Sequence, residues 1–323
     1  MLSAALNVAI ELRIAEQVAA GRKSVSALAA GSGRALNEDA LYRVLRALAS
    51  VGIFSEVRPR EFASTPPAEF LRGDVPWTLR ELVRWLSEPL HFRVHAELMH
   101  SVETGRPSVE KVTGSPVFEF FPKNRELSEL FNDAMTNFSR AIVPAVLEAY
   151  DFSGVNMLVD IAGGHGAVLT SILKQYPTMR GLLFDLDHVV AGAAPAIRAE
   201  GLDGRVQTAS GDFFKAVPGG GDLYLMKHII HDWDDERATL ILKNIRRVLE
   251  GQPNGRVVLL ESVLQPGNEP DLGKLIDLEM LTFPGGLERT ADQFTALFTR
   301  AGFTLSRIVP THSPVSVIEA RPS

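Results

Sequence analysis

Met157-Leu158-Val159-Asp160-Ile161 runs directly into Ala162-Gly163-Gly164-His165-Gly166-Ala167-Val168-Leu169. An apolar run ends at a carboxylate, passes through glycines and enters residues that suit a helix. Glycine there lets the backbone turn tightly and approach a ligand beside the unpaired amides of a helix N-terminus. Working outward, Gly181–Asp185, Arg205–Thr208, Asp222–Met226 and Arg256–Glu261 are further short runs separated by amphipathic segments. Strands alternating with helices predict an α/β domain over residues 151–323, a mostly parallel, Rossmann-like sheet covered on both faces. A G-x-G-x-x-G fingerprint would need glycine where Leu169 stands, which counts against a nicotinamide dehydrogenase.

The carboxyl ends of these strands carry the candidate chemistry. Asp185, nineteen residues beyond Gly166, is placed to accept ribose hydroxyls, so an adenosine-type ligand is expected. In Gly211-Asp212-Phe213-Phe214, Asp212 can accept from an adenine amino group or cap the following helix. Asp160, Asp185 and Asp212 thus share the edge where open α/β sheets bind ligands. Leu225-Met226-Lys227-His228-Ile229-Ile230-His231-Asp232-Trp233 ends the fourth strand. His231 there can project into the same cleft, and imidazole suits proton transfer near neutrality. Either His231 or His228 could instead be structural. Asp234-Asp235-Glu236 reads as a solvated first helical turn favoured by the helix dipole.

Composition bounds the rest. The 323 residues are 46% apolar and 22% charged, which excludes disordered and fibrous classes. Thirty-three basic against 39 acidic residues give −6, with no global basic field for nucleic acid or anionic lipid. The absence of cysteine excludes disulfides, thiolate zinc sites and a cysteine nucleophile. No compact His/Cys cluster is visible, so no metal is expected. The first residues lack a basic leader, and no run approaches the ~20 apolar residues that span a bilayer. A cytoplasmic protein is expected.

Before the α/β region, residues 1–74 read as short helices and a ribbon. Leu6, Ile10, Ile14 and Val18 keep the four-residue spacing of one helix face. Ala40–Leu48 repeats it and stops at Gly52, a plausible cap. Ile53–Val57 and Glu61–Ser64 form a hairpin around Arg58-Pro59-Arg60, giving a winged-helix outline. Nine basic and eight acidic residues in this region favour packing or dimerisation over DNA binding. Residues 75–150 are helical and aromatic, a linker that can also form a lid or wall over an apolar ligand.

Taken together, Leu41–Leu48, Phe131-Asn132-Asp133-Ala134-Met135, the glycine loop, Phe184-Asp185-Leu186, Gly211–Phe214, His231-Asp232-Trp233 and Phe283-Pro284-Gly285-Gly286-Leu287-Glu288-Arg289-Thr290 resemble the plant-type O-methyltransferases. That family includes caffeic acid and hydroxyindole enzymes and a bacterial natural-product branch. The resemblance implies a class I methyltransferase domain and an N-terminal winged-helix dimerisation domain, hence a homodimer. It implies S-adenosylmethionine as cofactor, S-adenosylhomocysteine as product and a hydroxylated aromatic acceptor. Gly163, Gly164 and Gly166, with Asp160, would hold the methionine end of the cofactor. Asp185 and Leu186 would bind the ribose, and Asp212, Phe213 and Trp233 the adenine, with Lys227 also in contact. His231 would be the base, flanked by Glu261 and Glu288, with Glu261 fixing the imidazole tautomer. Met135, Phe138, Asp232 and Phe283 would face the acceptor. Ala162 and His165 depart from the common Gly-Gly-Gly-Thr-Gly loop, and Asp187 stands where proline is usual.

Two other readings remain at this level. One keeps the fold and cofactor for hydroxylation or decarboxylation without methyl transfer. The other is a DNA-binding regulator that uses its winged helix.

Overall fold

The computed structural model describes residues 1–323 as two compact units. One comprises Met1–Arg93 with Asn124–Ala141, the other Val94–Lys123 with Ile142–Ser323. The 75–150 stretch is therefore shared between them.

The first unit begins with helices Leu2–Glu11 and Ile14–Ala19. The single face expected from Leu6 to Val18 is broken, because Arg13 takes a left-handed φ of 51°. Ile10, Ile14 and Val18 are nonetheless all buried in one core with Leu28, Leu41, Leu45 and Leu48. Helix Glu38–Ser50 starts at Asn37, whose Oδ1 accepts from the Ala40 amide. It ends at Ser50, with Val51 as its cap. Gly52 N–H donates to Ala49 O and Ile53 N–H to Leu48 O, the paired closing bonds that a left-handed glycine permits. The ribbon follows: β1 (Phe54–Arg58) pairs antiparallel with β2 (Glu61–Ser64). Arg60 at its tip donates to Asp39 at 2.8 Å and lies over the Tyr42 ring.

The second unit holds a seven-stranded sheet: β3 (Met157–Ile161), β4 (Arg180–Asp185), β5 (Val206–Ser210), β6 (Leu223–Lys227), β7 (Arg256–Glu261), β8 (Phe303–Pro310) and β9 (Ser316–Pro322). Their order is β5-β4-β3-β6-β7-β9-β8. The first five are parallel, and β9 pairs antiparallel with β7 and β8. The last two strands carried no clear signal in the sequence. β8 is mostly half-exposed, and Glu319 interrupts the apolar run of β9. Glu319 is buried because it accepts from Tyr150 Oη at 2.6 Å and from Arg307 and Arg321.

From β3 the chain winds outward through β4 and β5, then returns to add β6 and β7 on the other side. A crevice opens at such a reversal, above the carboxyl ends of the strands. Val159, Tyr224, Met226, Val257 and Leu259 face a core shared with Ile241, Phe294 and Phe298. That packing fixes the height at which each strand delivers its last side chain to the crevice.

Candidate active site

At the end of β3, Asp160 is fully buried and its Oδ2 has no hydrogen-bond partner. Burial pushes its carboxyl up to about 7, aided by the charge of Asp185 and opposed by Lys227. Gly163 sits against it: a Cβ there would lie 2.4 Å from Asp160 Oδ2 and 2.5 Å from Leu183. Only glycine leaves this cradle open. The loop then takes left-handed conformations at Ala162, Gly164 and Gly166. Asp185 at the end of β4 ties the loop down, its Oδ2 accepting from Gly164 N–H and its Oδ1 from Leu186 N–H. Burial raises its pKa as well.

After β5, Asp212 accepts from the Phe214 amide at 2.9 Å and closes a turn, not the start of a helix, since no helix lies between β5 and β6. Its other oxygen faces Lys215 at 3.4 Å. Phe213 and Phe214 pack edge to face, and Phe214 meets Trp233 at 4.8 Å and 86°. Trp233 Nε1 is buried without a partner. Lys227, closing β6, is desolvated enough that its ammonium falls to about 8, against the charges of Glu261, Asp160 and Asp232.

The residues after β6 form a second cluster. His231 Nδ1 lies 2.6 Å from Glu288 Oε1, and its Nε2 lies 3.5 Å from Asp232 Oδ1. Glu288, not Glu261, therefore bonds the imidazole. Glu261 Oε1 accepts instead from the Ile229 and Ile230 amides, holding the backbone that carries His231. Its Oε2 sits 3.7 Å from both His228 Nδ1 and His231 Nδ1. Burial, with Asp277 and Asp271 nearby, pushes Glu288 up to about 8. Burial, with Glu261 and Glu288 nearby, likewise pushes Asp232 to about 7. His228 is held well below the usual imidazole range by burial and by the charges of its neighbours.

One convergence was not visible in the sequence. His228, His231 and Glu288 converge within 4.8 Å, because Glu288 arrives on a loop 57 residues downstream of His231. That loop carries two residues whose roles the sequence did not disclose. A Cβ on Gly286 would stand 1.9 Å from the His231 carbonyl oxygen, so only glycine lets the loop approach. Leu287 N–H donates to that same oxygen. Arg289, 1% exposed, donates to the carbonyls of Ile230 and Trp233 and to Asp235. Asp235 is thus a structural counter-ion, shared with Arg300, and not merely part of a solvated turn. Asp277, on helix Leu272–Thr282, fixes the Glu288 amide.

Phe283 is buried, with its ring edge toward His95. Leu98, Leu275 and Leu278 line a shallow apolar pocket with His95, whose Nε2 lies 2.8 Å from Glu279. Met135 and Phe138 lie on helix Arg125–Ala149, within the part of it that belongs to the first unit.

The donor set suits an amino acid joined to a nucleoside. A buried orphan carboxylate beside a glycine cradle can take an ammonium group, a second strand-end carboxylate a ribose diol, and the aromatic cluster a flat base. Acids predominate, so a ligand that also carries positive charge is matched electrostatically.

Comparison with known proteins agrees. Residues 95–304 match the O-methyltransferase domain family, and residues 1–73 the O-methyltransferase dimerisation domain. The chain is 40% identical to the phenazine O-methyltransferase of Lysobacter antibioticus, over 98% of this chain and 92% of that one. It is 33% identical to the mitomycin biosynthesis 6-O-methyltransferase of Streptomyces lavendulae, over 98% and 90%. A calicheamicin-biosynthesis methyltransferase, solved with S-adenosylhomocysteine bound, superposes with a TM-score of 0.88 at 32% identity, covering 100% of this chain and 94% of that one. With its crossover sheet, its glycine cradle and its buried His–Glu pair, this chain belongs to the O-methyltransferase family.

Proposed function

We propose that this protein methylates a hydroxyl group of an aromatic small molecule, using S-adenosylmethionine and acting as a cytoplasmic homodimer, with His231 as general base. The observation that carries the reading is the His231–Glu288 contact at 2.6 Å. If Nδ1–H donates to Glu288, the lone pair of Nε2 is left for the acceptor.

When bound, S-adenosylmethionine would supply an electrophilic methyl on a positively charged sulfur, with S-adenosylhomocysteine as the product. Asp160 and the Gly163–Gly166 loop would hold its amino-acid end, Asp185 its ribose, and Phe213 and Trp233 its base. Lys227 beneath the crevice balances the surrounding acids. A phenol has a pKa near ~10, so it enters protonated. His231 Nε2 takes that proton as the oxygen attacks, a step worth ~10²–10⁴ in rate. Glu288 stabilises the imidazolium that forms, and Asp232, 3.5 Å from Nε2, faces the acceptor side. Glu261 and Arg289 keep the His231 loop in place. The relatives above are transferases, and the intact base cluster favours methyl transfer over the hydroxylase or decarboxylase reading. The Asp39–Arg60 pair neutralises the cation at the ribbon tip, and the match of residues 1–73 to the dimerisation domain supports dimerisation over DNA binding.

Incubation with methyl-labelled S-adenosylmethionine and a panel of phenols and hydroxylated heteroaromatics tests this. Label is expected in product with wild type and is expected to fall by ~10²–10⁴ with His231→Ala, while S-adenosylhomocysteine binding persists. Full activity in a folded His231→Ala protein would overturn the assignment of the base.

A further inference from the structure

The base cluster has the shape of a cation site, and we infer that it binds a borderline divalent ion such as Zn²⁺, which switches the enzyme off. His228 Nδ1 and His231 Nδ1 are 3.3 Å apart. Two nitrogens bound to one tetrahedral zinc at ~2.0–2.1 Å stand about 3.3–3.4 Å apart. Glu261 Oε2 is 3.7 Å from each of them and Glu288 Oε1 is 2.6 Å from His231 Nδ1. His228, His231 and Glu288 bring their ligand atoms within 4.8 Å of one another, so opening that last contact by about 0.7 Å gives a three-ligand N₂O set with a free fourth position and Glu261 beside it.

A second observation points the same way. Glu261 is 0% exposed, yet its Oε2 has no hydrogen-bond partner, and neither does the second oxygen of Glu288. Buried carboxylate oxygens are costly to leave unsatisfied. Two neutral imidazoles and two carboxylates around a dication sum to zero charge, which removes that cost. Nitrogen ligands select Zn²⁺ over Mg²⁺, which prefers oxygen and retains its waters.

Inhibition follows from which nitrogen is taken. The ion coordinates Nδ1 of His231 and displaces the bond to Glu288. The proton that sat on Nδ1 moves to Nε2, and any proton held by Glu288 leaves to solvent. Nε2 then carries hydrogen and has no lone pair for the acceptor. The crevice residues Asp160 and Asp185 are not ligands, so cofactor binding is untouched.

The binding claim stands apart from the reading of His231 as base, and the test separates them. Full-length protein, free of affinity tag and treated with chelator, is titrated with Co²⁺ and Zn²⁺ alone. The expected results are one saturable site, a visible Co²⁺ absorption band of tetrahedral type, its displacement by Zn²⁺, and no effect of Mg²⁺. His228→Asn and Glu261→Gln, checked for folding by S-adenosylhomocysteine binding, are expected to weaken Zn²⁺ binding by about tenfold or more. Absence of a saturable site in wild type, or equal Zn²⁺ affinity in both folded variants, would overturn the site. Saturable binding with no loss of methyl transfer, in an enzyme that needs His231, would overturn the switch alone.

Discussion

Ala162 is a non-glycine residue at a φ of 55°, the first residue of the loop that turns the chain from β3 toward its helix. An L-residue there costs about 1–2 kcal/mol relative to its ordinary conformations. Ala162→Gly is expected to raise stability by about 1 kcal/mol, less the extra freedom glycine gives the unfolded chain. Chemical denaturation of the two proteins checks this, and an unchanged or lower midpoint would mean that the methyl group is worth more than the strain. This residue also illustrates what sequence reading reaches at this scale. The loop was legible because Gly163 and Gly166 are rare signals with a physical meaning. The tautomer partner of His231 was not legible: Glu261 and Glu288 are both acids of the right type, and only the backbone amides of Ile229 and Ile230, which claim Glu261 Oε1, decide between them.

Between elements, the site depends on two loops in backbone contact. The Phe283–Arg289 segment reaches the His231 segment through Gly286, through the Leu287 amide and through the guanidinium of Arg289. Gly286→Ala would put a carbon 1.9 Å from the His231 carbonyl, so the loops must part. Displacement of the base by about 1 Å is expected to lower kcat by ~10²-fold. S-adenosylhomocysteine affinity, read by calorimetry, is expected to fall much less than kcat, because the new carbon also meets the Trp233 amide at 2.6 Å but the glycine cradle is elsewhere. Unchanged kcat would show that loop docking does not set the base. Strands were the most readable elements: β7 coincides with the Arg256–Glu261 run because both its faces are covered. β5 was placed one residue early at its start and two short at its end, since an edge strand with exposed Gln207 and Thr208 lacks an apolar pattern. The N-terminal helices kept a perfect apolar spacing across a break, which periodicity does not register.

Across the whole molecule, the sheet concentrates buried acids at one end. Asp160 binds its proton more tightly folded than unfolded, with a pKa raised from 3.8 to about 7. The stability this contributes is fully present below 3.8 and is lost as pH rises through about 7. Asp232, also raised to about 7, and Glu288, raised to about 8, act with the same sign. The ligand-free protein is therefore expected to lose melting temperature between about pH 4 and pH 7. Asp160→Asn is expected to flatten that slope while weakening cofactor binding. Scanning calorimetry across this range checks both proteins, and parallel slopes would remove Asp160 from the account. No helix is long and apolar enough to cross a membrane.

The strand order has a consequence for how the protein is made. β9 is the last strand in sequence, yet it lies inside the sheet, between β7 and β8. Until residues 316–322 have emerged from the ribosome, β7 has an open side, and Glu261 at its tip belongs to an unfinished edge. The glycine cradle between β3 and β4 needs no such late arrival. During synthesis the half of the crevice that grips the cofactor can form early, whereas the half that moves the proton waits for residues 316–322.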